Sequence, residues 1–451
     1  MNFFSLKLHN TTIQKEVLSG ISTFIAMSYI LTVNPIILSR TGMDAGGVFI
    51  ATVLSIIMTT LVGAFYTKMP LTYAPSLSLN MMFVPMTMKT CGGDYRMVLL
   101  ATYLSGIVIV LVVITGAYEQ ILIRIPSFVK HSVIAGIGLM ILLAGSNVLQ
   151  LFSLDDNGEF HFGKVLYKEI LFCLLAIALV QFLKSRKRQG AIAIGIMTTY
   201  ILAAISELIN YLQTQQGGVE KFLETYISSS VPIGSIIEVA YQFPHVEELI
   251  YDKSKFFRLI MLVFTITLVH FFDAFGTTSA ELEQIEIDDE NYDQEAKRKT
   301  MLVNGIGSLL SGCAGTASVT TNAENMVGIK GGAKTGLSAI VVCICCILSL
   351  FVSPIFTTMS EYIVAPVMIY IGIIFLSNLR YIRSMRLSEA IPSVFIVFYS
   401  GVTFQVGEAV SFGILLNMLL KIMFGRRKEI TNYWPIIVVF CIVCIAIRSA
   451  N

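Results

Sequence analysis

The chain has 451 residues, 55% hydrophobic and only 13% charged, with a mean hydropathy of +0.77. That balance excludes an ordinary soluble domain, and a formal net charge of +2 offers no electrostatic footprint for nucleic acid or another polyanion. Apolar stretches long enough to cross a bilayer as helices recur from end to end, as at 48–66, 98–116, 133–149, 191–212, 256–280 and 337–353.

These segments predict an all-α polytopic membrane protein. With half-broken segments included, about fourteen crossings fit at roughly 20 residues each. Residues 1–451 then form a single membrane domain with no room for a separate soluble catalytic module. Residues 1–16 are polar and the first apolar segment is long, so no cleavable signal peptide is expected. Basic groups at Lys7 and Lys15, 184–188, Arg380, Arg383 and Arg386, and 426–428 place those loops and the N-terminus on the cytoplasmic side of the cell membrane. The acidic run 155–159 is expected outside. The eight cysteines, mostly within apolar segments, lack metal-ligand spacing and read as small packing residues.

The first polar interruption in chain order is Ala74-Pro75-Ser76-Leu77-Ser78-Leu79-Asn80. A similar stretch, Thr316-Ala317-Ser318-Val319-Thr320-Thr321-Asn322, is followed by Ala323-Glu324. Each follows a long apolar segment and precedes a glycine pair, Gly92-Gly93 and Gly331-Gly332. Between them, residues 133–142 resemble 367–376 around Gly138 and Gly372. Three matched blocks in one order predict an inverted repeat, 14–213 and 256–448, joined by the polar stretch 214–255. The period-2 patterns Ser-x-Ser-x-Asn and Ser-x-Thr-x-Asn predict short strands that pair antiparallel at the midplane, each leading into a half-helix. Ser78 and Asn80 on one strand and Thr321 on the other then line the site.

Carboxylates inside the apolar segments are few. Asp273 interrupts the run 268–276, and Glu324 directly follows the second broken strand. A charge at mid-membrane costs about 2.5–3.5 kcal/mol on insertion scales, so such groups mark a cavity, a partner or a proton path. Both are candidates for substrate binding and proton exchange, joined by His270 three positions before Asp273 on one helix face. Phe24, Phe272 and Tyr29 are candidates to stack on an aromatic substrate. His131 reads as interfacial, Glu207 and Glu408 as lying near segment ends, and the run from Glu281 to Lys299 as a solvated loop. Phosphate loops, zinc-ligand sets and nucleophilic triads are absent from the sequence, so no cofactor, metal or enzymatic activity is expected.

Several segments resemble the AzgA-type purine permeases. They are Glu16-Val17-Leu18-Ser19-Gly20, the run 23–30, Val33-Asn34-Pro35, the run 74–80, Phe271-Phe272-Asp273-Ala274-Phe275, Thr320 to Glu324, and Gly331-Gly332-Ala333-Lys334-Thr335-Gly336-Leu337. The resemblance covers nearly the whole chain. It implies a seven-plus-seven inverted repeat divided into core and gate domains, and import of a neutral nucleobase together with protons. It also implies that Asp273 and Glu324 are the essential carboxylates, that Asn80 is the polar residue of the first broken segment, and that related folds dimerise through gate helices. The chain departs from the family's usual pattern at Ser76-Leu77-Ser78, where Gly-Met-Gly is usual, and at Gly276, where a second Asp is usual. A uracil- or xanthine-type permease, a sulfate-permease-like anion carrier and a non-transporting channel or receptor of the same fold stand as alternatives.

Overall fold

The computed structural model describes residues 4, 6, 9–116, 126–149, 151–154, 160–162, 167–186, seven positions between 194 and 209, 231–244, 252–285, 290–322, 324–357, 365–403, 406–426 and 429. Most of 191–212, together with 155–159, 427–428, 434–447 and Glu207, lies outside the described residues, as does the side chain of Glu408.

The first part of the chain gives α1 (Ile13–Met27), α2 (Ile30–Ser39), α3 (Ala45–Tyr66), β1 (Tyr73–Pro75), α4 (Leu77–Pro85), a π turn at Met86–Thr90, α5 (Tyr95–Ile114) and α6 (Ser127–Val148). Polar side chains start several of them. Thr12 caps α1 through the Lys15 N–H (3.3 Å), and Asp94 caps α5 through the Arg96 N–H (3.0 Å). A hairpin of β2 (Phe152–Leu154) and β3 (Phe160–Phe162) flanks the acidic run, and α7 (Tyr167–Ser185) follows.

The second part gives a 3₁₀ turn at Ile233–Glu238, then α8 (Lys253–Ile285), α9 (Glu290–Ala314), β4 (Val319–Thr321), α10 (Asn325–Lys330), α11 (Gly336–Phe351), α12 (Ser353–Thr357), α13 (Ala365–Leu376), α14 (Leu379–Ile382), α15 (Leu387–Thr403) and α16 (Val406–Met423). Among the described residues, four spans are long and apolar enough to cross a membrane: Ile13–Ser39, Ala45–Tyr66, Tyr95–Ile114 and Ser254–Thr278. Seven further apolar helices are shorter.

The helices sort into two groups by packing. Helices α1–α5 and α8–α12 pack chiefly on one another, and α6, α7 and α13–α16 form the second group. Contacts of α4 and α8 with α6, and of α8 with α16, join the two. Within the second group, α6 and α13 cross at Gly138 and Gly372. A Cβ on either glycine would lie 2.9 Å from the other's carbonyl oxygen, so only glycine permits this approach. These residues belong to the blocks that resemble each other in sequence.

The predicted strands pair, with one displaced. Strand β1 runs antiparallel to β4 with Tyr73 opposite Thr321, Ala74 opposite Thr320 and Pro75 opposite Val319. Two outlying bonds extend the ladder symmetrically, Ser76 N–H to the Ser318 carbonyl (3.1 Å) and Asn322 N–H to the Thr72 carbonyl (3.3 Å). The first strand therefore precedes the Ser-x-Ser-x-Asn pattern instead of coinciding with it. The run from Leu77 is helical, with the Asn80 N–H returning to the Ser76 carbonyl at 2.9 Å. A helix satisfies its own backbone where only one strand partner exists, which a five-residue alternation cannot reveal. The glycine pairs close both broken segments in left-handed conformations, with φ +64° and +96° at Gly92 and Gly93 and +102° at Gly332.

A second difference concerns the run expected as a loop. Helix α8 continues to Ile285 and α9 begins at Glu290, so Glu281 and residues 293–299 are helical. Glu281 is 1% exposed, held by a partner distant in sequence that local polarity could not predict.

Candidate functional site

The strand crossing brings α8, β4 and the two half-helices together. Asp273 lies midway along α8, half-buried, and its Oδ2 accepts hydrogen bonds from the hydroxyls of Ser76 and of Thr320 (3.3 Å for the latter). Ser78 Oγ lies 2.7 Å from Ser76 Oγ, so the two serines form a chain ending on the carboxylate. Ser76 occupies the cap position of α4 but makes no side-chain cap bond, because its hydroxyl is turned to Asp273. The departures at Ser76 and Ser78 thus supply hydrogen-bonding partners to Asp273.

Thr321 joins α8 to β4. Its hydroxyl lies 2.9 Å from that of Thr277 and 3.2 Å from that of Thr278, and its N–H donates to Asn304 Oδ1 at 2.8 Å. Glu324 stands at the start of α10, and the Tyr29 hydroxyl donates to its Oε1 at 2.8 Å. Tyr29, in the break between α1 and α2, therefore makes a polar contact with Glu324. Directly after Glu324, Asn325 bonds Thr72 and Glu281.

The remaining candidates separate. Asn80 is 1% exposed within α4, and its Oδ1 has no partner among the described residues. His270 is fully buried, with Nδ1 2.8 Å from Ser318 Oγ and 3.1 Å from Ser308 Oγ, and the two serines bond each other. Its contacts brace β4 against α9 and do not reach Asp273. Phe272 is 4% exposed within the main apolar cluster, and Phe24 packs beside that cluster. His131 stacks on Tyr381 with ring centroids 4.3 Å apart. Gly276 is exposed on α8 one turn past Asp273, and a Cβ there would meet nothing within 4 Å. Among the described residues no group of His, Cys, Asp and Glu is arranged to hold a metal.

Sequence reasoning missed Tyr29 as a hydrogen-bond donor, along with Thr72, Asn325 and Glu281. The only available signal was Asn325 beside Glu324, since a polar pair entering a half-helix needs partners.

A match to the family described as Permease family (Xan_ur_permease) spans residues 14–407, which includes every group just described. The chain belongs to this permease family. The family is one of transporters and not of enzymes, in agreement with the expectation from sequence. This permease is 25% identical to the adenine permease AdeP of Escherichia coli (strain K12), with 99% of this chain and 96% of the relative covered. It is 26% identical to the guanine/hypoxanthine permease PbuO of Bacillus subtilis (strain 168), covering 97% and 98%. Among solved structures, the permease superposes on the transmembrane domain of the cyanobacterial bicarbonate transporter BicA with a TM-score of 0.61, at 13% identity over 89% of this chain and 97% of that one. The SLC26A9 structure gives 0.60 at 13% identity, over 90% and 65%. These two likenesses concern the fold alone.

Proposed function

We propose that this permease is a proton-coupled symporter that imports a neutral nucleobase, a purine in first place, by alternating access. The observation that carries the reading is the placement of Glu324 and Asp273 beside one strand crossing, each held by a hydroxyl from a distant segment. Glu324 accepts adjacent N–H groups on the edge of the base. Charge-assisted bonds of that kind contribute about 1.5–3 kcal/mol each. Asp273 exchanges the coupling proton, and its serine and threonine partners keep the carboxyl oriented in both protonation states, since a hydroxyl both donates and accepts.

Helices α1–α5 and α8–α12 form the core that carries the base, and α6, α7 and α13–α16 form the gate against which it moves. In this reading 14–213 and 256–448 are inverted halves, with the N-terminus cytoplasmic in the cell membrane. The relatives' names, adenine permease and guanine/hypoxanthine permease, support a purine over uracil. An anion as cargo is disfavoured because Glu324, unless protonated, repels it, whatever the fold shares with bicarbonate carriers.

The test is uptake of radiolabelled adenine, guanine, hypoxanthine, xanthine and uracil by cells lacking their own nucleobase carriers. Accumulation of one base, abolished by a protonophore and by Glu324→Gln, is the expected result. Full activity of Glu324→Gln, or uptake of bicarbonate or sulfate in place of every base, overturns the assignment.

A further inference from the structure

A third carboxylate is buried beside the site. Glu281 lies eight residues after Asp273 on α8, roughly two turns further along the helix. Its Oε1 accepts a hydrogen bond from Asn325 Nδ2 at 2.9 Å, and its Oε2 is buried with no partner among the described residues. An apolar side chain of equal size would fill this space at lower cost, because a buried oxygen without a partner loses its solvation uncompensated.

The partner explains what the carboxylate does. Asn325 Nδ2 also donates to the Thr72 carbonyl at 3.0 Å. Asn325 Oδ1 accepts from the Thr72 N–H at 3.0 Å and from the Thr72 hydroxyl. Both amide hydrogens and both acceptor directions are thereby used. Thr72 leads into β1, and its carbonyl also receives the Asn322 N–H from the end of β4. One amide therefore ties the entry of β1, the start of α10 and the body of α8 together. An amide rotated by 180° would point its oxygen at the Glu281 carboxylate, so Glu281 acts with Thr72 in fixing the orientation.

We infer that Glu281 is a positioning residue for substrate binding, locking Asn325 so that the adjacent Glu324 meets the base at a fixed angle. This rests on the reading of Glu324 as the acceptor for a nucleobase. Misplacement of the acceptor weakens every bond the base makes there, while the strand crossing itself stays supported by its own ladder.

The experiment uses the full-length protein, purified as wild type, Glu281→Met, Glu281→Gln, Asn325→Ala and the Glu281→Met/Asn325→Ala double variant. Dissociation constants are measured for adenine, guanine, hypoxanthine and uracil, beside the melting temperature without ligand and KM and maximal rate in proteoliposomes. Methionine fills the volume, removes the partnerless Oε2 and strands one Asn325 N–H, effects that offset, so Glu281→Met is expected to melt close to wild type. It should bind the preferred base at least tenfold more weakly, with KM raised and the maximal rate within threefold. Glu281→Gln keeps an acceptor and should restore binding to within threefold, and the double variant should bind no more weakly than Asn325→Ala alone. Wild-type affinity in Glu281→Met, equal losses in the Met and Gln variants, or multiplying losses in the double variant overturn the inference while leaving the nucleobase reading intact. A wild-type protein that binds none of the four bases overturns both.

Discussion

The hydroxyl of Tyr29 and the carboxylate of Glu324 lie 2.8 Å apart, although 295 positions separate them in the chain. The bond spans the break between α1 and α2 on one side and the start of α10 on the other. It holds one oxygen of the carboxylate from a segment distant in sequence. Tyr29→Phe removes the donor and keeps the ring, so packing is conserved. Affinity for the preferred base should fall roughly tenfold, the lower end of what a hydrogen bond to a charged group contributes. An unchanged dissociation constant would show that Tyr29 does not orient Glu324.

Two serines touch the other carboxylate unequally. Ser76 bonds Asp273 most strongly, while Ser78 bonds Ser76 and acts on Asp273 less strongly. Ser76→Ala should therefore lower the uptake rate several-fold more than Ser78→Ala, with Ser76→Thr, which restores a hydroxyl, recovering part of the loss. Equal rates in the two alanine variants would remove the chain of hydroxyls from the mechanism.

Glycines on the two helix groups should respond oppositely to a methyl group. At Gly138 a Cβ would meet the Leu376 backbone nitrogen at 2.7 Å, and at Gly276 it would meet nothing within 4 Å. Gly138→Ala should destabilise the protein by about 1–3 kcal/mol, the usual cost of overpacking. Gly276→Ala should not lower the melting temperature and should gain up to about 1 kcal/mol from helix propensity. Thermal unfolding in detergent without ligand compares them directly.

His270 hydrogen-bonds two serines and, among the described residues, not Asp273. His270→Ala is accordingly expected to lower the melting temperature, through the loss of buried bonds each worth about 1 kcal/mol. The pH dependence of uptake should keep its midpoint. A shift of that midpoint in a variant of unchanged stability would place His270 on the proton path.

Membrane residence, the broken segments and the two carboxylates were legible in the sequence for one reason. Lipid makes a buried charge or an unpaired backbone group so costly that any such feature in an apolar chain must be structural or functional. Composition alone therefore singled out Asp273, Glu324 and the stretches around 76 and 320. The blocks around Gly138 and Gly372 were legible as a resemblance, but not as the point where two helices touch. The alternation at 76–80 misled because Leu77, Leu79 and Met81 suit a buried helix as well as a strand, and only the length of the available partner distinguishes them.

The tertiary structure decided which polar group meets which. Glu281 sits in a run as rich in charge as any solvated loop, and nothing within that run foretells its bond to Asn325, 44 positions away. Tyr29, Thr72 and the serine pair on Asp273 are alike in this. Hydrophobic pattern is a property of a segment and can be read from one chain. Hydrogen-bond partnership belongs to two segments at once and exists only when the fold brings them within about 3 Å.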